Sequence, residues 1–469
     1  MSTPNTHYTA AELSRMLDGV RSVYFLGIGG ISMSSLAVLT RQLGYRVGGY
    51  DRTETSLTKA LAQKGIVVDT LADAHHTDTY DAVVYTVAIP EDQPELNEAK
   101  RRGLPLISRS NYMGYLMTAY RSRIGVAGTH GKSTTTGMLA EIFFAADAEP
   151  TVLCGAVLPR LGSAFSVGGR EHMLFEACEY MDSFLDFYPT MAVVLNTELD
   201  HVDYFCDIAQ MRASYAAFAD KVGAQGYVVC NADDEHTMIA LQHCVGRRLT
   251  FGIEADADYV ASDIRLEKET REQSFALCCR GEYLGRISLR VQGRHNVYNA
   301  LAAACAAREQ GICMRAITAG LWNFTGVHRR MEYKGQLAGA ALYDDYAHHP
   351  TEIRSSVEAA RAMGCGRLIC VFQSHTYSRT AALFDEFVAA LRDADAVIIA
   401  PIYAAREQNT YGISEASLAA ALQDKGIPAI CGESLDDTAA QLLATVRPGD
   451  TVLVMGAGDN ERISPVLFR

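Results

Sequence analysis

The sequence predicts an α/β protein of three domains, Rossmann-like at the N-terminus, of P-loop type in the centre and Rossmann-like α/β again at the C-terminus. Three observations carry this. Val23 to Ser34 reads as a strand running into a glycine turn and a helix that ends near Gly44; a second strand, Tyr45 to Tyr50, closes on Asp51. A β-α-β unit with an acidic residue about 20 positions past the turn is the Rossmann-like arrangement. Gly125-Val-Ala-Gly-Thr-His-Gly-Lys-Ser-Thr-Thr-Thr136 is a strand end, a glycine-bracketed turn and a helix start, the order that phosphate binding needs. Past Ala341 the strand–helix rhythm starts afresh.

A length of 469 residues fits about three domains. Boundaries are expected at 1–120, 121–328 and 329–469, where the rhythm restarts rather than at a linker. With 49% apolar and 21% charged residues the composition is ordinary for a globular protein. No run of about 18 apolar residues occurs, so no transmembrane helix is expected. Met1 to Arg21, with Glu12 and Asp18 inside it, lacks a signal peptide's basic start and apolar block, which predicts a cytoplasmic chain. A net charge of −13 argues against nonspecific nucleic-acid binding, although local basic clusters can still hold anionic substrates. Twelve cysteines lie between Cys154 and Cys431 without a CxxC pair and read as thiols of a reducing compartment.

In the first third the rhythm continues through helix Leu57–Lys64, strands Ile66–Val68 and Ala82–Thr86, a helix through Glu98–Arg102 and strand Leu104–Ser108. Such alternation means a parallel sheet with ligands at the strand C-termini. A dehydrogenase competes on this domain alone, but a second phosphate loop follows directly. In that loop Gly128 and Gly131 let backbone N–H groups approach phosphate oxygens, Lys132 can reach the β/γ-phosphates and the Ser133 hydroxyl can hold Mg²⁺. A strict P-loop has glycine where this chain has Val126, so a strand–turn–helix with a chance Gly-Lys-Ser remains the alternative.

Farther on, Glu176 closes a short strand, and Met191 to Tyr204 is a buried strand opening into an acidic loop with His201. Carboxylate and imidazole at strand ends beside a phosphate loop suit Mg²⁺; a helix-capping acid and a satisfied loop histidine are the alternatives. Strands are expected at Tyr227–Asn231, Arg248–Gly252, Asp258–Ile264, Ser274–Cys279 and Tyr283–Val291, then an alanine-rich helix from about Gly293 to Gln310. Asn296 and Asn299 share one face of it, able to read an adenine edge or to cap the helix start. Gly326 to Glu332 is a compact basic turn whose Arg329 and Arg330 could neutralise phosphates or be solvated surface. Strands at Ala341–Asp345, Leu368–Gln373, Ala396–Pro401 and Thr451–Gly456 then alternate with helices Thr351–Ala362 and Ala381–Leu391.

Taken in order, Gly27-Ile-Gly-Gly30, Gly128-Thr-His-Gly-Lys132, Glu176-Ala-Cys-Glu179, Asp200-His201, His295-Asn-Val-Tyr-Asn299, Asp344-Asp-Tyr-Ala-His-His-Pro350, Phe372-Gln-Ser-His-Thr-Tyr-Ser-Arg379 and Tyr403-Ala-Ala-Arg-Glu407 resemble the Mur ligase family over nearly the whole chain. That family's loop reads Gly-Thr-x-Gly-Lys, which accounts for Val126. The resemblance implies a UDP-sugar domain, a central ATPase and an amino-acid-binding domain. It also implies the reaction, L-alanine joined to the lactoyl carboxylate of UDP-N-acetylmuramate as ATP becomes ADP and phosphate, by a monomer or homodimer. Gly27, Gly29, Gly30, Asp51 and Thr86 would line the UDP-sugar site. Gly128, Thr129, His130, Gly131, Lys132, Ser133 and Thr134 would hold ATP phosphates, with Ser133, Glu176 and His201 around Mg²⁺. Asn296 and Asn299 would face adenine, and Arg330 and Asp345 would lie near the nucleotide. Tyr346, His348 and Arg379 would sit by the incoming alanine and the transferred phosphate, so that Lys132, Glu176, His201, His348 and Arg379 form the expected catalytic set.

Ser32 and Ser35 stand where relatives have glycine, Ser133 where threonine is commoner and Ser374 where proline is usual. Several relatives carry a carbamylated lysine after Asp-His; none lies between His201 and Asp220, which fits the alanine-adding branch. The alternatives are a recycling ligase that attaches a whole peptide to the same UDP-sugar, and a non-catalytic paralogue that binds the nucleotide as a sensor. Against the first stands His375-Thr-Tyr-Ser-Arg379, against the second the presence of Lys132, Glu176 and His201.

Overall fold

The computed structural model describes residues 5–202, 204–267, 272–405 and 407–467, and Arg406 of the Tyr403–Glu407 motif lies outside them. Three sheets organise the described residues. The first is fully parallel, with strands in spatial order Val67–Asp69, Arg46–Tyr50, Ser22–Leu26, Ala82–Tyr85 and Leu106–Ser108. Read by chain order this is 3-2-1-4-5, whose topology reverses beside the first strand, at the glycine turn. Ser22–Leu26 is buried on both faces, as a central parallel strand must be.

The central sheet has ten strands, and its parallel core runs Tyr259–Leu266, Arg247–Gly252, Tyr227–Asn231, Met191–Val194, Ser122–Ala127, His172–Glu176 and Thr151–Leu158. The antiparallel strands Gln273–Cys279 and Glu282–Leu289 extend one end, and Ser163–Ser166 the other. The C-terminal sheet orders Ala340–Asp345, Thr451–Met455, Leu368–Phe372, Ala396–Ile399 and Ala429–Cys431 in parallel, with Glu332–Leu337 antiparallel at its edge. The glycine turn, the phosphate loop, Glu176 and Asp345 all fall at C-terminal ends of parallel strands, where open α/β sheets bind ligands.

Packing joins the first two units and fills the second. One hydrophobic cluster runs from Leu13, Phe25 and Tyr112 of the first unit into Phe184, Tyr215 and Phe218 of the second. The alanine-rich helix Arg294–Glu309, whose Ala300 to Ala307 are buried, lies close on helix Lys132–Ala145 because its side chains are small.

Several elements differ from the sequence expectation. Ala381–Leu391 is two helices, Tyr377–Ala382 and Phe384–Leu391, joined at Leu383, which leaves helical geometry at φ −117°, ψ 27°. Helix Ala10–Met16 starts in a Thr9/Glu12 capping box, a Thr-x-x-Glu signal that is plain in the sequence. Helix Arg109–Met117 connects the first sheet to the second and carries no clear amphipathic stripe, because it is buried on most sides. Helices Glu415–Asp424 and Leu435–Thr445 and strand Ala429–Cys431 complete the last unit. No described helix is long and apolar enough to cross a membrane, and all twelve cysteines are free.

Candidate functional site

The glycine turn of the first sheet is built around Asp51. Its Oδ2 accepts the Gly29 N–H at 2.9 Å and its Oδ1 the Thr53 N–H at 3.1 Å, so the carboxylate orders the turn. A side chain at Gly29 would collide with that carboxylate, and one at Gly27 with the Thr86 methyl. The structure thus brings Gly27, Gly29, Gly30, Asp51 and Thr86 to one strand-end turn, with Gly30 at the helix N-cap position and no side chain capping it. Ser32 has a use: its Oγ accepts from Arg109 Nη1 at 3.1 Å. Arg109 was absent from the expected site. Burial pulls its guanidinium below its ordinary value, and it faces the junction of the first two units near Asp186. A lone arginine after a short strand has no motif to announce it. The Ser35 hydroxyl turns back onto the carbonyls of Ile31 and Ser32.

Gly128 and Gly131 of the phosphate loop have φ of 140° and 84°, the region that favours glycine. Helix Lys132–Ala145 then begins without a side-chain cap, leaving its first N–H groups for a ligand. The His130 N–H is already committed to Asn196 Oδ1 at 2.8 Å, and the Thr129 hydroxyl braces the loop against the Glu198 backbone. Lys132 curls over the loop, donating to the Gly128 and Thr129 carbonyls at 2.6 and 3.1 Å and pairing with Glu179 at 3.0 Å. Ser133 Oγ donates to Glu176 Oε2 at 2.7 Å, and the same oxygen accepts from Gly155 N–H at 2.8 Å.

From Lys132 a ladder of polar side chains runs into the C-terminal unit. Glu179 Oε1 is 3.5 Å from His201 Nε2, and that nitrogen lies 4.0 Å from Asp200 Oδ2. Asp200 Oδ1 accepts Arg379 Nε at 3.1 Å and Nη2 at 2.6 Å. Burial opposes ionisation of both acids, yet Lys132 and His201 hold Glu179 below its ordinary value, and Arg379 with His201 holds Asp200 far below. Burial disfavours the Lys132 ammonium too, but Glu179 outweighs it and the lysine stays charged. Glu179 and Asp200 were missing from the expected site although both stand inside motifs that marked it; their partners come from other segments and are invisible in sequence.

A second cluster joins the phosphate loop to the C-terminal unit. His130 sits between Glu198, 3.4 Å from Nε2, and Glu352, 3.3 Å from Nδ1. Burial would lower its pKa, but the two carboxylates close to its ring nitrogens outweigh burial and lift it to about 9. Glu352 also takes Arg330 Nη1 at 3.2 Å. His348 lies 3.2 Å from Glu352 through Nδ1, and burial nevertheless pushes it down to about 4. Asp345 is held by Ser356 and the Ala347 N–H, and burial raises its carboxyl despite the nearby Arg330.

Both units line a cavity of about 810 Å³, into which His130, Gly131, Thr134, Asn296, Asn299, Arg330 and Asp345 open. The Asn299 amide donates to Asn296 Oδ1 at 3.2 Å and the Asn296 amide to the Gln292 carbonyl, so the pair is oriented by local bonds. Arg330 stacks its guanidinium over the Tyr346 ring at 5.2 Å. Arg329 corrects the expectation: it is buried and bonded to the Gly456 carbonyl and Asn460, which makes it a brace inside the C-terminal unit rather than a phosphate ligand or solvated surface. Ser374 is likewise structural, its hydroxyl paired with Thr380 at 2.6 Å. Beyond Arg379, Ser378 N–H bonds Glu407, the end of the Tyr403 motif, at 2.9 Å.

A phosphate loop, carboxylates at neighbouring strand ends and a facing α/β unit that delivers an arginine define an ATP-using ligase site, and the chain belongs to the Mur ligase family. Residues 22–121 match the Mur ligase family catalytic domain, 126–307 the Mur ligase middle domain and 329–458 the Mur ligase glutamate ligase domain. The chain is 42% identical over 449 residues to the UDP-N-acetylmuramate–L-alanine ligase of Lachnospira eligens, covering 95% of this chain and 98% of that one. To the enzyme of that name from Caldicellulosiruptor saccharolyticus it is 40% identical, covering 93% and 96%. Among solved structures, the UDP-N-acetylmuramate–alanine ligase MurC of Thermotoga maritima aligns with a TM-score of 0.79 at 26% identity, over 95% of this chain and 98% of that one. A murein peptide ligase from Psychrobacter arcticus shares the fold, with a TM-score of 0.69 at 23% identity over 96% and 98%.

Proposed function

We propose that the protein joins L-alanine to the lactoyl carboxylate of UDP-N-acetylmuramate at the expense of ATP, a step of peptidoglycan precursor synthesis. The observation that supports this best is the unbroken ladder from Lys132 through Glu179, His201 and Asp200 to Arg379, which lines up cations from two units beside the phosphate loop. On this reading residues 1–120 bind the UDP-sugar, 121–328 bind ATP and 329–469 bind the amino acid.

A carboxylate is a poor acylating agent. One of its oxygens attacks the γ-phosphorus, ADP leaves, and an acyl phosphate forms. The alanine amine then attacks the carbonyl, and phosphate departs with that oxygen. Both steps gather negative charge, which Lys132, the open N–H groups of its helix and Arg379 stabilise. Ser133, Glu176 and His201 fit Mg²⁺, being two oxygen donors and one imidazole at strand ends, and the ion would neutralise phosphate charge. Asn296 and Asn299 orient the adenine, while Arg330 and Asp345 fix the nucleotide from the opposite wall. His348, kept neutral by burial, offers a nitrogen lone pair near Arg379 that accepts a hydrogen bond from the incoming amine, which attacks in its free-base form. Contact between the units excludes water from the acyl phosphate.

The test is phosphate release from ATP and Mg²⁺ with UDP-N-acetylmuramate, adding L-alanine, L-serine, glycine or a muramyl tripeptide's free peptide separately. Release that needs both UDP-sugar and L-alanine supports the reading. Turnover with the peptide alone assigns the recycling reaction instead, and UDP-sugar binding without turnover assigns a non-catalytic binder.

A further inference from the structure

Where the phosphate loop meets the C-terminal unit, His130, Glu198 and His349 converge from three separate segments. One donor atom from each lies within 4.8 Å of the others. His130 Nε2 is 3.4 Å and His349 Nδ1 3.8 Å from the same oxygen, Glu198 Oε2. Metal–ligand bonds of about 2.0–2.2 Å in a tetrahedral site put neighbouring donors roughly 3.3 Å apart, so an ion would draw the donors together by at most about 1.5 Å.

The outer atoms are arranged as a metal site requires. His349 Nε2 is 3.3 Å from the Leu199 carbonyl, which makes it the N–H and leaves the Nδ1 lone pair facing Glu198. Among the described residues the Thr351 N–H, at a long 3.4 Å, competes for that lone pair. His130 directs Nδ1 at Glu352 Oε1, 3.3 Å away. Its Nε2 is buried and has no hydrogen-bond partner among the described residues. The Thr351 hydroxyl holds Glu198 Oε2 at 2.5 Å. Imidazoles whose far nitrogens are fixed by a carboxylate or a carbonyl, with near nitrogens converging, are the hallmark of preorganised metal ligands.

We propose that His130, Glu198 and His349 form a site for a zinc-class divalent cation that clamps the C-terminal unit to the phosphate loop. Two imidazoles and one carboxylate select Zn²⁺ or Co²⁺ over Mg²⁺, which prefers oxygen. The site is separate from Ser133, Glu176 and His201. His130, Glu198 and Thr351 border the large cavity, which supplies the entry path and a fourth position for water. Since His130 and Glu198 belong to the central unit and His349 caps helix Pro350–Ala362, an ion here bonds the two units directly and opposes their opening. The cation therefore acts as a brake on a cycle that must open to release product.

Titration of the full-length protein with Co²⁺ in excess Mg²⁺ reads the site independently of turnover. The expected result is one equivalent of visible d–d absorption of four-coordinate nitrogen/oxygen type, displaced by Zn²⁺ and lost in both Glu198→Gln and His349→Ala. Glu198→Gln keeps the side-chain shape, so its circular dichroism separates loss of ligand from loss of fold. Intense near-ultraviolet thiolate charge transfer, absorption that survives in both variants, or no four-coordinate absorption would overturn the site. In the same samples Zn²⁺ should protect the 328–329 junction from proteolysis in the wild type alone; equal cleavage with and without Zn²⁺ would overturn the clamp.

Discussion

Arg379 and Asp200 are joined by two N–H···O bonds onto a single oxygen, 3.1 and 2.6 Å long, with both side chains buried and on different units. Removing one member of a buried pair leaves the other uncompensated, at a cost of about 3–5 kcal/mol. Arg379→Ala is expected to lose turnover and to open the interface, seen as a larger radius of gyration in solution scattering. Arg379→Lys keeps the charge but not the two-pronged geometry, and should fall between alanine and wild type.

Lys132 and Glu179 share their charges beside the loop. Lys132→Ala should lower kcat by about 10²–10³-fold, as for loss of one preorganised transition-state donor. Glu179→Gln leaves the lysine in place but frees it from its counter-ion. Its kcat should fall less than that of Lys132→Ala, measured by coupled ADP release at saturating substrates.

Gly131 adopts φ 84°, and a side chain there would run into the Asn299 amide oxygen. Gly131→Ala combines about 1–3 kcal/mol of backbone strain with displacement of Asn299. The KM for ATP should rise at least tenfold while the KM for UDP-N-acetylmuramate changes little. Equal shifts in both would count against Asn299 as part of the nucleotide wall.

Asp344 is 2% exposed, its Oδ1 lacks a hydrogen-bond partner among the described residues, and burial raises its pKa from 3.8 to about 6, against the pull of Arg329 and Lys334. The folded value lies above the unfolded one, so its contribution to stability is complete below pH 3.8 and is lost as pH rises through about 6. Asp344→Asn removes that titration. The unfolding free energy of the variant should exceed that of wild type by an amount that grows between about pH 4 and pH 7, with a limit of about 3 kcal/mol. A difference independent of pH would contradict the assignment.

Much of the fold was legible because it is written in local periods. The strand at Ser22–Leu26, the phosphate loop and the alanine-rich helix follow from apolar runs, glycines and small residues. Helix Arg109–Met117 escaped because burial on most sides erases its stripe, and the 381–391 segment misled because its apolar spacing carries through the break at Leu383. The site divided the same way. Lys132, Ser133 and Glu176 belong to short motifs whose chemistry is local. The Glu179–Lys132, Arg109–Ser32 and His130–Glu352 contacts join residues 47 to 222 positions apart, which no spacing rule connects. Arg329 and Arg330 are the sharpest case: adjacent, chemically identical and both over the Tyr346 ring, one bonds the Gly456 carbonyl inside the C-terminal unit and the other lines the cavity.

The central claim is that the sugar carboxylate is phosphorylated before the amine attacks. UDP-N-acetylmuramate labelled with ¹⁸O in both lactoyl carboxylate oxygens, turned over with ATP and L-alanine, tests it directly by mass analysis of the phosphate released. The account predicts one ¹⁸O in each phosphate formed, stoichiometric with the amide. Unlabelled phosphate would contradict it, because ATP would then be cleaved by water and not by the carboxylate.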